Sequence, residues 1–346
     1  MEVSLNGRKV GPGHPTYIVA EIGQNHNGDV YQASRLIGVA AEAGVDAVKF
    51  CKRHIPSELT RRAHRKPYDN PHSYGRTYGE HREALELSIK DYSHLRQRIQ
   101  YNEWPVTMFA TACDFTSVDE LEEWGNPFYK IASRDLMNLP LIDYVASMQK
   151  PVILSTGMGD VEDIDAAIET VMKYHDQLVI LECTSQYPTP IEEVDLFRMQ
   201  GIGMRHQVAV GLSDHTIGAY LAPVVAVILG ASVIEKHITF SRASRGTDHA
   251  GSVEPEGLRR MVRDIRHAET LTSVRERVHH APERTKLGRS LVTSRPIAAG
   301  EVIGPDCLIL KSPGDGLPWS ERYALIGHAA KRELPADVTL QPGDVV

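Results

Sequence analysis

Residues 208–237 read VAVGLSDHTIGAYLAPVVAVILGASVIEKH. A short β-branched run, VAVGL (208–212), passes into an apolar segment of helix-like pattern and returns to a second short run, SVIEK (232–236). Both runs end in polar residues, Ser213 with His215 and Glu235 with His237. Upstream, the same kind of run recurs at 17–21 (YIVAE), 46–50 (DAVKF), 106–110 (VTMFA), 128–132 (FYKIA), 152–154 (VIL) and 178–182 (LVILE). Each is trailed by a helix-like segment; the first, from Tyr31 to Ala43, carries Leu36, Ile37, Ala40 and Ala41 on its apolar face. Parallel strands joined by helices close at eight, so eight units predict an α/β chain folded as a (β/α)8 TIM barrel. A doubly wound open sheet is the competitor.

A barrel of this kind gathers its chemistry at the C-terminal ends of the strands. Here those ends carry Glu21, Lys49, Thr111, Lys130 with Ser133, Ser155, Glu182 with Thr184, Ser213 with His215, and Glu235 with His237. Lys49 and Lys130 lie inside apolar strands (AVKF, FYKIAS), and a buried lysine needs an anion. Lysines beside Ser and Thr hydroxyls make a site for phosphate or carboxylate. The plain alternative for each hydroxyl is a helix cap. His215 and His237 close neighbouring strands and are positioned to share one divalent ion, leaving coordination positions open for water or substrate. His249, in TDHAGS, is a weaker candidate ligand.

The chain has 346 residues, 42% hydrophobic and 24% charged, with a net charge of -7. That profile excludes disorder and offers no basic field for nucleic acid or an anionic membrane. The longest apolar run, Tyr220 to Ile234, is interrupted by Pro223 and is too short to cross a bilayer. MEVSLNGRKVGPGHP contains no apolar signal-peptide core, and the four cysteines (Cys51, Cys113, Cys183, Cys307) are isolated in sequence. A cytoplasmic protein with reduced thiols is expected. A long excursion, 51–84, is rich in arginine and tyrosine and reads as a lid or binding segment. From Ala281 a polar linker (APERTKLGRS) leads into short strands and turns. The expected division is a barrel over 1–275, a linker over 276–284 and a small β-rich domain over 285–346.

The segments AEIGQNHNGD, VKF, FATACDF, YKIASRD, KPVILSTGM, ECTSQYPTP, GLSDHTIG, ASVIEKHIT and GTDHAGSVEPEGL resemble the sialic acid synthase (N-acetylneuraminate synthase) family. RSLVTSRPIAAGEVIGPDCLIL and the later PGDG resemble the SAF domain, an antifreeze-like β-clip fold that follows the barrel in those enzymes. The resemblance spans about 17–346. It implies an enzyme of carbohydrate biosynthesis that condenses phosphoenolpyruvate with an N-acylated amino sugar, giving a nine-carbon 2-keto acid and phosphate. It further implies a divalent metal, Mn2+ or Mg2+, held by His215 and His237. Glu21 would be the catalytic carboxylate, and Lys49, Thr111, Lys130, Ser133, Ser155 and Ser213 would hold phosphoenolpyruvate. Ser185 stands where many members have Asn, and Asp135, Tyr187 and Asp248 match sugar-side residues. Family members are homodimers in which the SAF domain of one chain closes the partner's barrel, which the small size of 285–346 makes plausible here.

In that chemistry the metal polarises the acceptor aldehyde, C3 of phosphoenolpyruvate attacks it, and water adds at C2 before phosphate departs with C–O cleavage. Three departures from the family pattern are expected to lie toward the acceptor. Cys51 and Lys52 follow VKF where Gln is common, Glu182 replaces a frequent His before CTS, and Ser312 precedes PGDG where many bacterial members have Arg. Poor activity with N-acetylmannosamine and better activity with an altered acceptor, an anionic or larger sugar first among them, are therefore expected unless Lys52, Lys311 or the arginines of 51–84 compensate. The competing readings are condensation with a different aldose or aldehyde, and a catalytically silent carbohydrate-binding barrel.

Overall fold

Runs of β-branched and aromatic residues favour extended chain, and eight of them pair in sequence order in the computed structural model, which describes residues 1–218, 221–273, 282–341 and 343–346. A hairpin comes first, β1 (Val3–Leu5) and β2 (Arg8–Val10). The barrel strands follow: β3 (Tyr17–Gly23), β4 (Ala47–Lys52), β5 (Thr107–Ala112), β6 (Tyr129–Ile131), β7 (Val152–Ser155), β8 (Leu178–Cys183), β9 (Ala209–Asp214) and β10 (Val233–His237). Every neighbour in the barrel is parallel, and β10 pairs with β3 to close the sheet. Closure excludes the open-sheet alternative.

One principal helix follows most strands: α1 (Val30–Ala43) after β3, then α2 (Ile55–Glu58), α3 (Arg61–His64), α4 (Tyr78–Ala84) and α5 (Ile89–Tyr101) all between β4 and β5. The remainder are α6 (Phe115–Trp124), α7 (Leu139–Ser147), α8 (Val161–Met172), α9 (Leu196–His206), α10 (Leu221–Ile228) and α11 (Pro255–Thr272). Their ends follow ordinary capping rules. Asp29 accepts the Tyr31 backbone N–H at the start of α1, and Gly44 ends the helix in a left-handed conformation at φ 83. Among the described residues no helix is long and apolar enough to cross a membrane.

Side chains of a strand alternate between faces, and here the alternation separates two apolar layers. Ile18, Ala20, Ile22, Val48, Phe50, Ala110, Ile180 and Ile234 face outward and pack with the helices. Val19, Ala47, Phe109, Phe128, Ile153, Val179, Leu181 and Val233 fill the barrel interior toward the strands' N-terminal ends. Val3, Leu5 and Val10 of the hairpin join that inner cluster and close the lower end. The hairpin turns at Asn6–Gly7, both with positive φ (49 and 82), the dipeptide that such a turn favours. The lower interior is therefore a largely apolar plug, with the polar cavity above it.

The chain divides into two compact units, Met1–Ser273 and Val274–Val346. Of the linker expected at 276–284, residues 276–281 lie outside the described residues, and Pro282–Leu287 form a short helix, α12. The second unit pairs β11 (Ser290–Thr293) with β12 (Leu308–Lys311) in antiparallel register. Isolated bridges such as Ile297↔Leu334 and Val302↔Ala329 take the place of longer strands. Leu291, Ile297, Ile303, Cys307, Leu325, Leu334 and Leu340 make its core.

Candidate active site

The interior positions of the strands become polar one step above the apolar plug. Glu21, Lys49, Thr111, Lys130, Ser155, Ser213 and Glu235 all line a cavity of about 310 Å3 at the C-terminal mouth, joined by Ser133, Ser185, Tyr187, His215, His237 and Asp248 from the strand ends and loops. Strand register sets these residues side by side: Lys49 lies opposite Glu21, Lys130 opposite Thr111, and Glu235 opposite Ser213.

Two lysines and two glutamates form the floor. Lys49 Nζ is 3.3 Å from Glu21 and 2.9 Å from Glu235, while Lys130 Nζ is 3.9 Å from Glu235. Lys130 also donates to Ser155 Oγ, and Ser213 Oγ donates to Glu235 at 3.0 Å. Burial pushes the Glu21 carboxyl up to about 7, with the Glu235 charge adding to it and Lys49 opposing. Burial also disfavours charge on Glu235, but Lys130 and Lys49 outweigh it and pull that carboxyl down. Burial and the neighbouring Lys49 charge lower Lys130, against the pull of Glu235. Glu21 is thus able to carry a proton near neutrality, while Glu235 stays ionised between the lysines.

The histidines face the same space from β9 and β10. Their ring centroids are 5.4 Å apart, and the Tyr187 ring lies 4.0 Å from His215 and 5.7 Å from His237. His215 Nδ1 is 3.0 Å from the Thr184 carbonyl oxygen, which leaves Nε2 as the ring's other nitrogen for a ligand. His237 Nδ1 is buried with no hydrogen-bond partner. Burial drives His237 down to about 3, against the attraction of Asp248, so its imidazole is neutral. A neutral, buried imidazole with an orphaned nitrogen, beside a second ring of fixed orientation, is suited to a divalent ion. No group of three or more His, Cys, Asp or Glu is gathered at metal-binding spacing among the described residues, so protein donors alone would leave such an ion open to substrate.

Several residues expected at the site do not line the cavity. Asp135 is not among the lining side chains; its carboxylate lies 3.4 Å from Arg134 Nε. Glu182 points away from the mouth, accepting from Thr156 at 3.2 Å and from Arg198 at 3.3 Å. Lys52 also points outward, to Glu86 at 3.0 Å and Glu120 at 3.2 Å. Lys52 and Glu182 each sit one residue from an inward position, whereas Cys51, the other half of the first departure, lines the cavity. His249 is held by Thr239 at 2.6 Å and Asn27 at 3.2 Å and does not line the cavity. Lys236 is buried in a barrel strand like Lys49, yet it faces outward and pairs with Asp214 at 2.7 Å. Glu235 and Cys51, both marked in the sequence, line the mouth with Arg53 and Arg82 of the 51–84 excursion, and so do Cys113, Cys183 and Arg134, which nothing in the sequence marked as site residues. Counting by two along the strand from Lys49 finds Cys51 and, from His237, Glu235.

The NeuB family model matches residues 36–277, and the SAF domain model matches 288–346. The chain is 36% identical to the N,N'-diacetyllegionaminic acid synthase of Legionella pneumophila, over 97% of this chain and 96% of that one. It is 34% identical to the human N-acetylneuraminate-9-phosphate synthase, over 96% and 94%. The crystal structure of the N-acetylneuraminic acid (sialic acid) synthetase from Leptospira borgpetersenii superposes with a TM-score of 0.70 at 30% identity, covering 82% of this chain and 94% of that one.

Proposed function

The chain belongs to the NeuB family, and from that premise we propose that it condenses phosphoenolpyruvate with an N-acylated amino sugar to a nonulosonic-type 2-keto-3-deoxy acid and phosphate. The observation that carries this reading is the lysine–glutamate floor set on an apolar plug and faced by two imidazoles.

Lys49 and Lys130, with Thr111, Ser133, Ser155, Ser185 and Ser213, supply cations and hydroxyls to the phosphate and carboxylate of phosphoenolpyruvate. The apolar plug beneath them keeps water out, which strengthens each charged contact. Binding a dianion there draws the lysines from Glu21 and Glu235. C3 of the enol attacks the open-chain aldehyde carbon, water adds at C2, and phosphate leaves with the bridging oxygen. Glu21, near neutral in its proton affinity, moves the proton between the water and the new hydroxyl. Tyr187 and Asp248 bound the sugar's side of the cavity. His215 and His237 would hold Mn2+ or Mg2+, which when bound supplies Lewis-acid polarisation of the acceptor carbonyl.

The relatives' names carry two sugars, a diacetyllegionaminic acid and a neuraminate 9-phosphate, so the acceptor class is drawn as N-acylated amino sugars. The physiological unit in this reading is a homodimer with exchanged SAF domains, each supplementing the partner's mouth. All four cysteines are free thiols, as a cytoplasmic enzyme requires. The test is phosphate release with a panel of aldoses: N-acetylmannosamine, its 6-phosphate and a 6-deoxy diacetamido hexose. Release should require both phosphoenolpyruvate and an aldose and should stop in EDTA. Release without an aldose, or full turnover in EDTA, would overturn the reading.

A further inference from the structure

Asp248 reaches the mouth from the loop between β10 and α11, and that loop is held from two sides. On the barrel side His249 is 1% exposed, with Nδ1 2.6 Å from Thr239 Oγ1 and Nε2 3.2 Å from Asn27 Oδ1, so both ring nitrogens are engaged. Ser252 Oγ donates to the Asp248 carbonyl oxygen at 2.6 Å and accepts from Asn25 Nδ2 at 2.8 Å. Gly246 passes the His249 ring at φ 137, and a Cβ there would lie 2.7 Å from His249 Cδ2. On the outer side the long segment between β4 and β5 closes on the same loop. The Tyr74 hydroxyl donates to the Arg245 carbonyl oxygen at 2.7 Å, the Arg245 guanidinium lies 4.6 Å from the Tyr74 ring centroid, and the Gly246 N–H donates to His72 Nδ1 at 3.2 Å. That tip is itself tied to α4, because the Tyr74 backbone N–H donates to His81 Nδ1 at 3.1 Å.

On the condensation reading above, in which Asp248 bounds the sugar's side of the cavity, we infer that His249 and Tyr74 are positioning residues for the acceptor, fixing the loop that presents the Asp248 carboxylate. Neither lines the mouth, whereas Thr247 and Asp248 do. Asp248 accepts from Thr247 Oγ1 at 2.8 Å, so its carboxylate is oriented within the loop and the loop's path sets where it lies. An ionised carboxylate only accepts hydrogen bonds, which suits Asp248 to a hydroxyl or amide N–H of the sugar. An ångström of displacement there takes the aldehyde out of line with C3 of phosphoenolpyruvate and costs on the order of 100-fold in rate. The phosphoenolpyruvate set stands on other supports. Lys49, Thr111, Lys130, Ser155 and Ser213 belong to barrel strands, held by the strand ladder itself. Loosening the loop should therefore reach the acceptor and spare phosphoenolpyruvate.

The test uses the best-accepted aldose of the panel above for turnover and its alditol, which lacks the aldehyde and cannot react, for calorimetry on the full-length enzyme with phosphoenolpyruvate bound. Tyr74→Phe removes one hydroxyl and leaves the ring; it should raise the aldose KM and the alditol Kd about three- to tenfold, with phosphoenolpyruvate affinity within about twofold of the parent. His249→Ala should lower kcat/KM for the aldose by about 100-fold, and His249→Asn, whose amide keeps a polar atom near the place of Nδ1, should recover part of that loss. Because the effect runs through Asp248, Tyr74→Phe placed on Asp248→Ala should weaken alditol binding by less than about twofold further. The same three- to tenfold loss in both backgrounds would overturn the inference, as would a loss that falls equally on phosphoenolpyruvate, the mark of a merely structural clasp. Aldose turnover and alditol binding unchanged in both Tyr74→Phe and His249→Ala would overturn it while leaving the condensation reading intact. A parent enzyme that neither turns over an aldose nor binds the alditol would overturn the condensation reading and this inference with it.

Discussion

Parity along a strand decides what a buried charge does in this molecule. Lys130 and Lys236 are both almost fully buried in barrel strands, but Lys130 faces the cavity and Lys236 faces outward to Asp214. Burial and the nearby Lys49 charge disfavour the protonated form of Lys130, and Lys49 remains beside Glu235 when Lys130 is removed. Lys130→Met should raise the KM for phosphoenolpyruvate at least tenfold, since a charge-assisted contact contributes about 1.5–3 kcal/mol. Lys236→Met strands Asp214 as a buried charge without its partner and should lower stability by about 3–5 kcal/mol. Denaturant melts and steady-state kinetics on the pair separate the two effects. If both variants lost substrate affinity equally with unchanged stability, the inward–outward distinction would be wrong.

At the scale of elements, barrel closure depends on how closely β9 and β10 approach. A Cβ placed on Gly211 would lie 2.1 Å from the Val233 carbonyl oxygen and 2.8 Å from Leu181 Cδ2. Gly211→Ala should therefore destabilise the barrel by about 1–3 kcal/mol or more through overpacking, read as a lowered denaturation midpoint. A variant as stable as the parent would mean that the two strands separate easily. The eight strands were legible in the sequence to within two residues because β-branched runs between helical patterns leave few alternatives. Lys49 and Lys130 stood out because charge is rare inside such runs. Side-chain direction was harder to read: Glu182 and Lys52 sit at strand ends, where a single residue's shift reverses the face. The meeting of Arg53, Arg82 and Arg134 at the mouth was harder still, because they come from three segments that join only in the fold. The β1–β2 hairpin carried a turn signal, Asn6–Gly7, but strands of three residues give too short an alternation to recognise.

At the scale of the whole molecule, the proposed exchange of SAF domains makes activity a property of two chains. A chain lacking 285–346 retains the barrel's own core, so it should lose catalysis more than stability. Mixed with a full-length chain inactivated by His237→Ala, it should regain activity in purified hetero-dimers, where the intact tail meets the intact barrel. Inactive hetero-dimers beside active full-length homodimers would rule out closure in trans.

The central claim is that the mouth joins C3 of phosphoenolpyruvate to an aldehyde and releases phosphate by breaking the C–O bond. The most direct measurement uses phosphoenolpyruvate labelled with 18O in the bridging position, turned over with an accepted aldose. The label should appear in inorganic phosphate, one phosphate for each keto acid formed, and only when the aldose is present. Unlabelled phosphate, or labelled phosphate released without the aldose, would contradict it.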